Sequence, residues 1–263
     1  MTDQHDQNAQ PLLTLYLVRH GETEVNRRNC VQGKRIDPPL NERGQIQAMY
    51  TGKRFKNIAV DWVVTSEALR AKETGAAISN HHINAPVSHF GALNELEFGD
   101  LEGTHVTAGY NDLIIRWDVD HNTDLAAPGA QGESPADCER RAMPCMVDIV
   151  QQAVAEGRRH VCVVVHSRLI QIVLASMLDG SLATMDAYKQ KKAAVNVVDV
   201  LRRLGSSMWP LKCVAREVSS VTHLPEDVVS RVSSATSLNS RNPKDERIRF
   251  ETDASGILVL KHL

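Results

Sequence analysis

Two apolar runs in this chain each end on a histidine, and those endings constrain its fold and chemistry together. Leu12-Leu13-Thr14-Leu15-Tyr16-Leu17-Val18 stops abruptly at Arg19-His20-Gly21. His160-Val161-Cys162-Val163-Val164-Val165 stops at His166 and is followed by an apolar helical stretch, Leu169 to Leu178. Runs of this kind read as strands of an open α/β sheet, in which ligands bind where the carboxyl ends of strands meet the following helices. A third junction, Trp62-Val63-Val64-Thr65-Ser66, leads into Glu67 to Thr74. With Ser66 as the helix cap, Arg70 lies about one turn in, and the N-terminal tilt of helical side chains carries it back to the sheet edge. Three junctions thus bring Arg19, His20, Arg70 and His166 to one rim.

Such a cluster suits a phosphate. Arginine forks bind its oxygens bidentately, and backbone N–H groups at helix starts add donors. Histidine is among the side chains that form covalent intermediates. Neighbouring arginines disfavour the imidazolium, so a histidine among them stays neutral and nucleophilic.

These residues resemble the histidine phosphatase superfamily, also called phosphoglycerate-mutase-like. The resemblance rests on Arg19-His20-Gly21-Glu22-Thr23 with Asn26, then Gln32-Gly33, Asp37-Pro38-Pro39-Leu40 and Gly44 to Ala48. It continues through Ser66 to Ala71 with Thr74, Leu93 to Gly103, Gly132-Glu133-Ser134 and the strand ending at His166. It implies an α/β three-layer sandwich with a mostly parallel central sheet flanked by helices and one antiparallel edge strand. It also implies that His20 becomes phosphohistidine, with Arg19, Arg70 and His166 neutralising the phosphoryl charge. Asn26 resembles a further phosphate donor, and Gln32-Gly33 a wall against the rest of the substrate. Glu95 takes the family position of the proton donor and acceptor, a role that works best with a pKa near neutrality. Glu97 and Glu102 read as solvated loop carboxylates.

One departure from the family pattern falls after the second histidine. Glycine is usual there, and this chain has Ser167-Arg168. Ser167 still offers an N–H and a hydroxyl to substrate. Arg168 either adds a cation at the pocket mouth or points to solvent from the first turn of a helix, the second being the reading favoured. The interval from Glu95 to His166 is short, which resembles the phosphatase branches more than the mutases. The segment 104–131, with Tyr110, Arg116 and Trp117, is expected to form a small cap. The function expected is metal-independent hydrolysis of small phosphate monoesters without a cofactor. A 2,3-bisphosphoglycerate-dependent phosphoglycerate mutase is the first alternative and a non-catalytic phospho-ligand binding domain the second.

Composition fits that reading. The chain has 263 residues, 42% of them hydrophobic, and a net charge of −2. That balance lacks the basic face a nucleic-acid partner needs, and no apolar run approaches a membrane span. Met1 to Gln10 is polar and lacks the apolar core of a signal peptide, and five scattered cysteines without a CxxC pair suit a reducing cytoplasm. His81-His82 and His89 read as surface histidines, and Lys189-Gln190-Lys191-Lys192 as a solvated charge run. No GxGxxG, GxxxxGK, HExxH or GxSxG motif occurs.

Residues 1–11 are expected to be a polar tail and 12–224 the catalytic domain. Within it, helices are expected from about Glu42 to Phe55 and from Pro135 to about Ala155. Ser134 and Asp137 would form a capping box on the second, and Gly157 would end it. Val195 to Leu201 and Leu211 to Val218 read as an antiparallel edge around Gly205-Ser206-Ser207. Residues 225–263 read as a short helix, a serine-rich linker and a hairpin turning at Asp253-Ala254-Ser255-Gly256. The hairpin would need a surface to pack on, its own sheet or that of a second subunit, which makes a homo-oligomer possible.

Overall fold

The strand Leu15 to Val18 sends alternate side chains into two different cores, and that alternation builds the layers. In a computed structural model describing residues 11–201, 212–229, 248–252 and 258–262, β1 (Leu13–Arg19) is followed by α1 (Glu24–Arg27) and α2 (Glu42–Phe55). Next come β2 (Trp62–Ser66), α3 (Leu69–Ser79), β3 (Val87–Phe90), α4 (Ala108–Asp118), α5 (Pro135–Ala155), β4 (His160–Val165) and α6 (Ser167–Leu174). The chain closes with β5 (Val195–Leu201), β6 (Lys212–Ser220), α7 (Glu226–Val229), β7 (Ile248–Thr252) and β8 (Leu258–His262). Leu13, Leu15 and Leu17 of β1 join Val161, Val163 and Val165 of β4 in a core with Met146 and Ile149 of α5 and Ile170 of α6. Tyr16 and Val18 join Cys162 and Val164 in a second core with Phe55 of α2 and Ile78 of α3. A period of two along each strand therefore gives a sheet covered on both faces. Each fully buried valine contributes about 1.5–3 kcal/mol of transfer free energy.

The sheet has six strands in the order β3-β2-β4-β1-β5-β6. β3, β2, β4 and β1 are parallel, β5 runs against β1, and β6 pairs antiparallel with β5. The three-layer sandwich with an antiparallel edge is thus the architecture observed. α2 spans Glu42–Phe55 from an Asn41 cap, and α5 starts at the Ser134–Asp137 capping box and gives way to Gly157 at φ +71°. α6 passes into a π-helical turn, Ala175–Asp179, inside the apolar stretch expected to be helical. β7 and β8 form a separate two-stranded sheet rather than adding to the central one. The polar start 1–10, the turn at Gly205-Ser206-Ser207, the serine-rich linker and the hairpin turn lie outside the described residues. All five cysteines are free, and no single helix among the described residues is long and apolar enough to cross a membrane.

The loop after β1 is fixed by backbone contact. A Cβ on Gly44, in the first turn of α2, would come within 2.0 Å of Glu22 O, and one on Gly21 within 2.5 Å of Gly44 O. The Gly21 N–H donates to Thr74 Oγ1 of α3 at 3.1 Å, and the Glu22 N–H to Gln47 Oε1 of α2 at 2.8 Å. Two helices therefore hold the segment that carries His20. Gly44→Ala forces these backbones apart and is expected to cost about 1–3 kcal/mol. Urea unfolding checks this as a lower midpoint with an unchanged slope.

Candidate active site

β1 and β4 pair with Arg19 opposite Val165, and the His20 N–H donates to Val165 O at 3.0 Å. One residue past each strand, His20 and His166 face one another with ring centroids 5.2 Å apart, both buried. His20 Nδ1 lies 2.7 Å from Gly21 O. A carbonyl only accepts, so Nδ1 carries the ring hydrogen and Nε2 keeps its lone pair. Burial, then the charges of Arg70 and Arg19, hold the His20 pKa well below the usual imidazole range. Burial and then Arg70 do the same to His166. His166 Nε2 lies 2.7 Å from Ser66 Oγ, which already accepts the Ala68 N–H at 3.3 Å. The hydroxyl hydrogen is then available to Nε2, which places the His166 ring proton on Nδ1.

Ser66 orients His166 and does not cap α3. The helix starts at Leu69, two residues later than a Ser66 cap would give after Glu67, and its N-cap Ala68 makes no side-chain bond. Asp37, from a distant loop, replaces that cap and accepts the Leu69 N–H at 2.8 Å and 3.1 Å through its two oxygens. The same carboxylate lies 3.3 Å from Arg70 Nη1. Arg70, 1% exposed, also donates from Nη1 to Ile36 O and from Nη2 to Gly33 O, both at 3.1 Å. Arg19 Nη1 donates to Gln190 O at 2.7 Å. After these bonds Arg19 Nε, Arg70 Nε and His166 Nδ1 remain buried without a partner. An unpaired buried donor costs about 1–3 kcal/mol. Three of them beside a neutral His20 suit a ligand with several acceptor oxygens.

Glu95, buried and lying between the two histidines in sequence, joins them through α6. Its Oε1 accepts the Leu169 N–H at 3.0 Å and its Oε2 the Arg168 N–H at 3.1 Å, so it occupies the N-terminus of that helix. Arg141 of α5 holds the Glu95 backbone: it donates to Ala92 O, Asn94 O and Glu95 O at 2.7, 2.9 and 3.0 Å. Glu133 fixes Arg141 in turn, with an ion pair of 2.7 Å.

Arg19, His20, Asn26, Gln32, Glu95 and Ser167 all line one cavity of about 300 Å³, beside Tyr110 from α4. Arg70 and His166 are buried behind that lining, at 1% and 0% exposure. Gly33 lies outside the lining as well, and serves through its carbonyl to Arg70. Asn26 and Gln32 are tied together through Thr23: its N–H donates to Asn26 Oδ1 at 3.4 Å and its hydroxyl to Gln32 Oε1 at 2.7 Å.

A family model of the histidine phosphatase superfamily (branch 1) matches residues 15–206. The chain belongs to the histidine phosphatase superfamily. It is 35% identical over 174 residues to a 2,3-bisphosphoglycerate-dependent phosphoglycerate mutase of Methylobacterium radiotolerans, covering 63% of this chain and 79% of that protein. It is 29% identical over 176 residues to a broad-specificity phosphatase of Saccharomyces cerevisiae, covering 64% of this chain and 72% of the relative. The solved structure of a mycobacterial glucosyl-3-phosphoglycerate phosphatase shares the fold at a TM-score of 0.68 and 24% identity, over 79% of this chain and 99% of that one. Relatives of this chain thus carry both mutase and phosphatase names.

Several side chains depart from the expectations above. Arg168 does not point to solvent: it is 6% exposed, lines the cavity, and pairs with Asp118 of α4 at 2.7 Å. Glu97 and Glu102 are not solvated. Glu97 is 7% exposed and 3.1 Å from Arg35, while Glu102 accepts the N–H groups of Phe98 and Arg35 at 3.1 and 3.0 Å. Lys192, read as part of a surface charge run, is half-buried, pairs with Glu22 and lines the cavity. Within 104–131, Tyr110 reaches the cavity, Trp117 is fully buried with Nε1 donating to Leu125 O at 2.7 Å, and Arg116 is exposed. Of the three surface histidines expected, His81 and His89 are exposed and His82 is half-buried, 3.0 Å from Phe55 O.

Burial and the neighbouring arginines hold both site histidines well below the pKa of about 6.5 that an unfolded chain shows. Below that pH the unfolded chain binds more protons, so their contribution to stability is fully present above it and is lost as pH falls toward the folded values. Each ring gives a slope of at most about 1.4 kcal/mol per pH unit. Urea midpoints measured from pH 7 to pH 5 should fall for the native chain, and fall less steeply for His20→Gln/His166→Gln.

Proposed function

We propose that this chain hydrolyses small phosphate monoesters through a phosphohistidine formed on His20. The observation that carries this reading is a neutral His20 whose Nε2 lone pair is unengaged, beside three buried donors without partners, Arg19 Nε, Arg70 Nε and His166 Nδ1. In the first step Nε2 attacks phosphorus while the ester P–O bond breaks, and Glu95 gives its proton to the departing alkoxide. The arginines and His166 donate to the phosphoryl oxygens as their charge redistributes, which lowers the barrier without reorganisation because the protein already holds them in place. In the second step water attacks phosphorus, Glu95 takes its proton, the P–N bond breaks, and neutral His20 and inorganic phosphate remain.

Arginine charge rather than a metal serves the phosphoryl group in this scheme. The cavity of about 300 Å³ is at the small end for ligand sites, which favours metabolite-sized esters. A phospho-ligand binding domain has no use for a proton carrier, and Glu95 in the cavity wall favours catalysis. The relative named as a phosphoglycerate mutase supports a second reading, in which the phosphohistidine returns its phosphoryl group to a bound acid instead of water.

Hydrolysis of para-nitrophenyl phosphate in excess chelator tests the proposal. Turnover should persist with the chelator, fall about 10⁴-fold or more in His20→Ala, and fall about 10²–10⁴-fold in Glu95→Gln. Acid-quenched protein should carry acid-labile phosphate that His20→Ala lacks. Absence of turnover, combined with phosphoglycerate isomerisation that requires added 2,3-bisphosphoglycerate, would establish the mutase instead.

A further inference from the structure

We infer that Arg168 forms a second oxyanion subsite in the cavity, so that the preferred esters carry a carboxylate or a second phosphate on the group that leaves. This rests on the phosphoryl site proposed above and names the class of substrate for it. Arg168 occupies the position after Ser167 in the first turn of α6, and its backbone N–H is engaged with Glu95. Its side chain turns toward α4, where Nη1 donates to Asp118 Oδ1 at 2.7 Å and the guanidinium carbon lies 5.7 Å from the Trp117 ring centroid. Both members of the pair are nearly inaccessible, with side-chain exposures of 8% and 4%. Trp117 is fully buried, so the guanidinium is held on one edge by a carboxylate and stands beside a fixed ring.

The pair leaves half of the fork unused. Arg168 Nε and Nη2 make no hydrogen bond with the described residues, and Arg168 lines the same cavity as His20. A buried ion pair gains little stability over apolar residues of the same size, so a latch between α4 and α6 does not by itself need an arginine. A planar fork steadied by a carboxylate is well suited to a second oxyanion, bound through two parallel N–H groups. The phosphoryl group undergoing transfer is already served by Arg19, Arg70 and His166, at the sheet edge. Arg168, paired with Asp118 of α4, lines the cavity together with Tyr110 of the same helix, and this side is the one we assign to the rest of the substrate.

The test compares esters that differ in one group: propyl phosphate, 2-carboxyethyl phosphate and propane-1,3-diyl bisphosphate. The native chain should favour at least one anionic ester over propyl phosphate by about tenfold or more in kcat/KM. Arg168→Met should bring that ratio to within about threefold of one, and Arg168→Lys should restore only part of it, since a single ammonium lacks the fork. Because Arg168→Met leaves Asp118 buried and unpaired, Arg168→Met/Asp118→Leu serves as the variant whose folding is protected. A purely structural role would weaken all three esters alike and leave the ratio unchanged. No preference in the native chain, or an equal preference in the variants, overturns the subsite.

Calorimetric Kd values for butylphosphonate, 4-phosphonobutyrate and butane-1,4-bisphosphonate give the same comparison without turnover. If no ester is hydrolysed but the anionic phosphonates bind more tightly through Arg168, the subsite stands and the hydrolase reading fails. Which of the two anionic arms responds shows whether carboxylate or phosphate is the group recognised.

Discussion

Buried positive charge next to neutral imidazole is the constraint on which the rest of this structure depends. Arg70 is 1% exposed, yet among the described residues Asp37 is the one carboxylate that it hydrogen-bonds, and the carbonyls of Gly33 and Ile36 do the remaining holding. Arg19 is anchored by the carbonyl of Gln190. Carbonyl oxygens fix a guanidinium without cancelling its charge, so the positive field at His20 and His166 adds to the larger effect of their burial in keeping both rings neutral. The sheet brings the two histidines together through the β1–β4 register, and the loops 33–37 and 190–192 hold the cations around them. Strands set positions to within a residue, while loops tune charge.

Much of this was legible in the sequence, for reasons that are local. The two apolar runs ending in histidine read as strands of a sheet whose carboxyl ends meet helices at one rim, and β1 and β4, buried on both faces, have that form, while their pairing with one another comes from the fold. The Ser134 cap, with Pro135 and Asp137 behind it, marks the start of α5 because all its partners lie within three residues. What stayed hidden depends on partners far apart in the chain. Ser66 has the chemistry of an N-cap, but His166, which it hydrogen-bonds, and Asp37, which caps α3 instead, lie on other elements. Glu97, Glu102 and Lys192 look solvated beside polar neighbours, and only the folded loops bring Arg35 and Glu22 to them. Arg168 is hidden for the same reason, since its partner Asp118 lies on α4, whose docking no periodicity specifies.

Helix α4 and the sheet meet at a single helix start. Glu95 accepts N–H groups at the beginning of α6, Arg168 leaves that same turn to reach Asp118, and His166 is its N-cap residue. A group suited to proton transfer, a group suited to substrate selection and one of the site imidazoles therefore share the four consecutive backbone positions 166–169 and one distant carboxylate. Movement of α4 would be felt at Glu95 through two hydrogen bonds, without any intervening network. Tight coupling of this kind keeps reacting groups within the small tolerances that positioning demands.

The unpartnered nitrogens of Arg19, Arg70 and His166 have an implication for how such a chain responds to selection. Each is a cost to the folded state that an apolar residue of similar size would not incur. A library screened for heat resistance alone would tend to enrich replacements at these very positions, and would produce sturdier proteins with an empty purpose. Stability and activity pull in opposite directions here at identifiable atoms, so any improvement of the scaffold has to be sought elsewhere, in the helix surfaces and loop backbones that never meet the cavity.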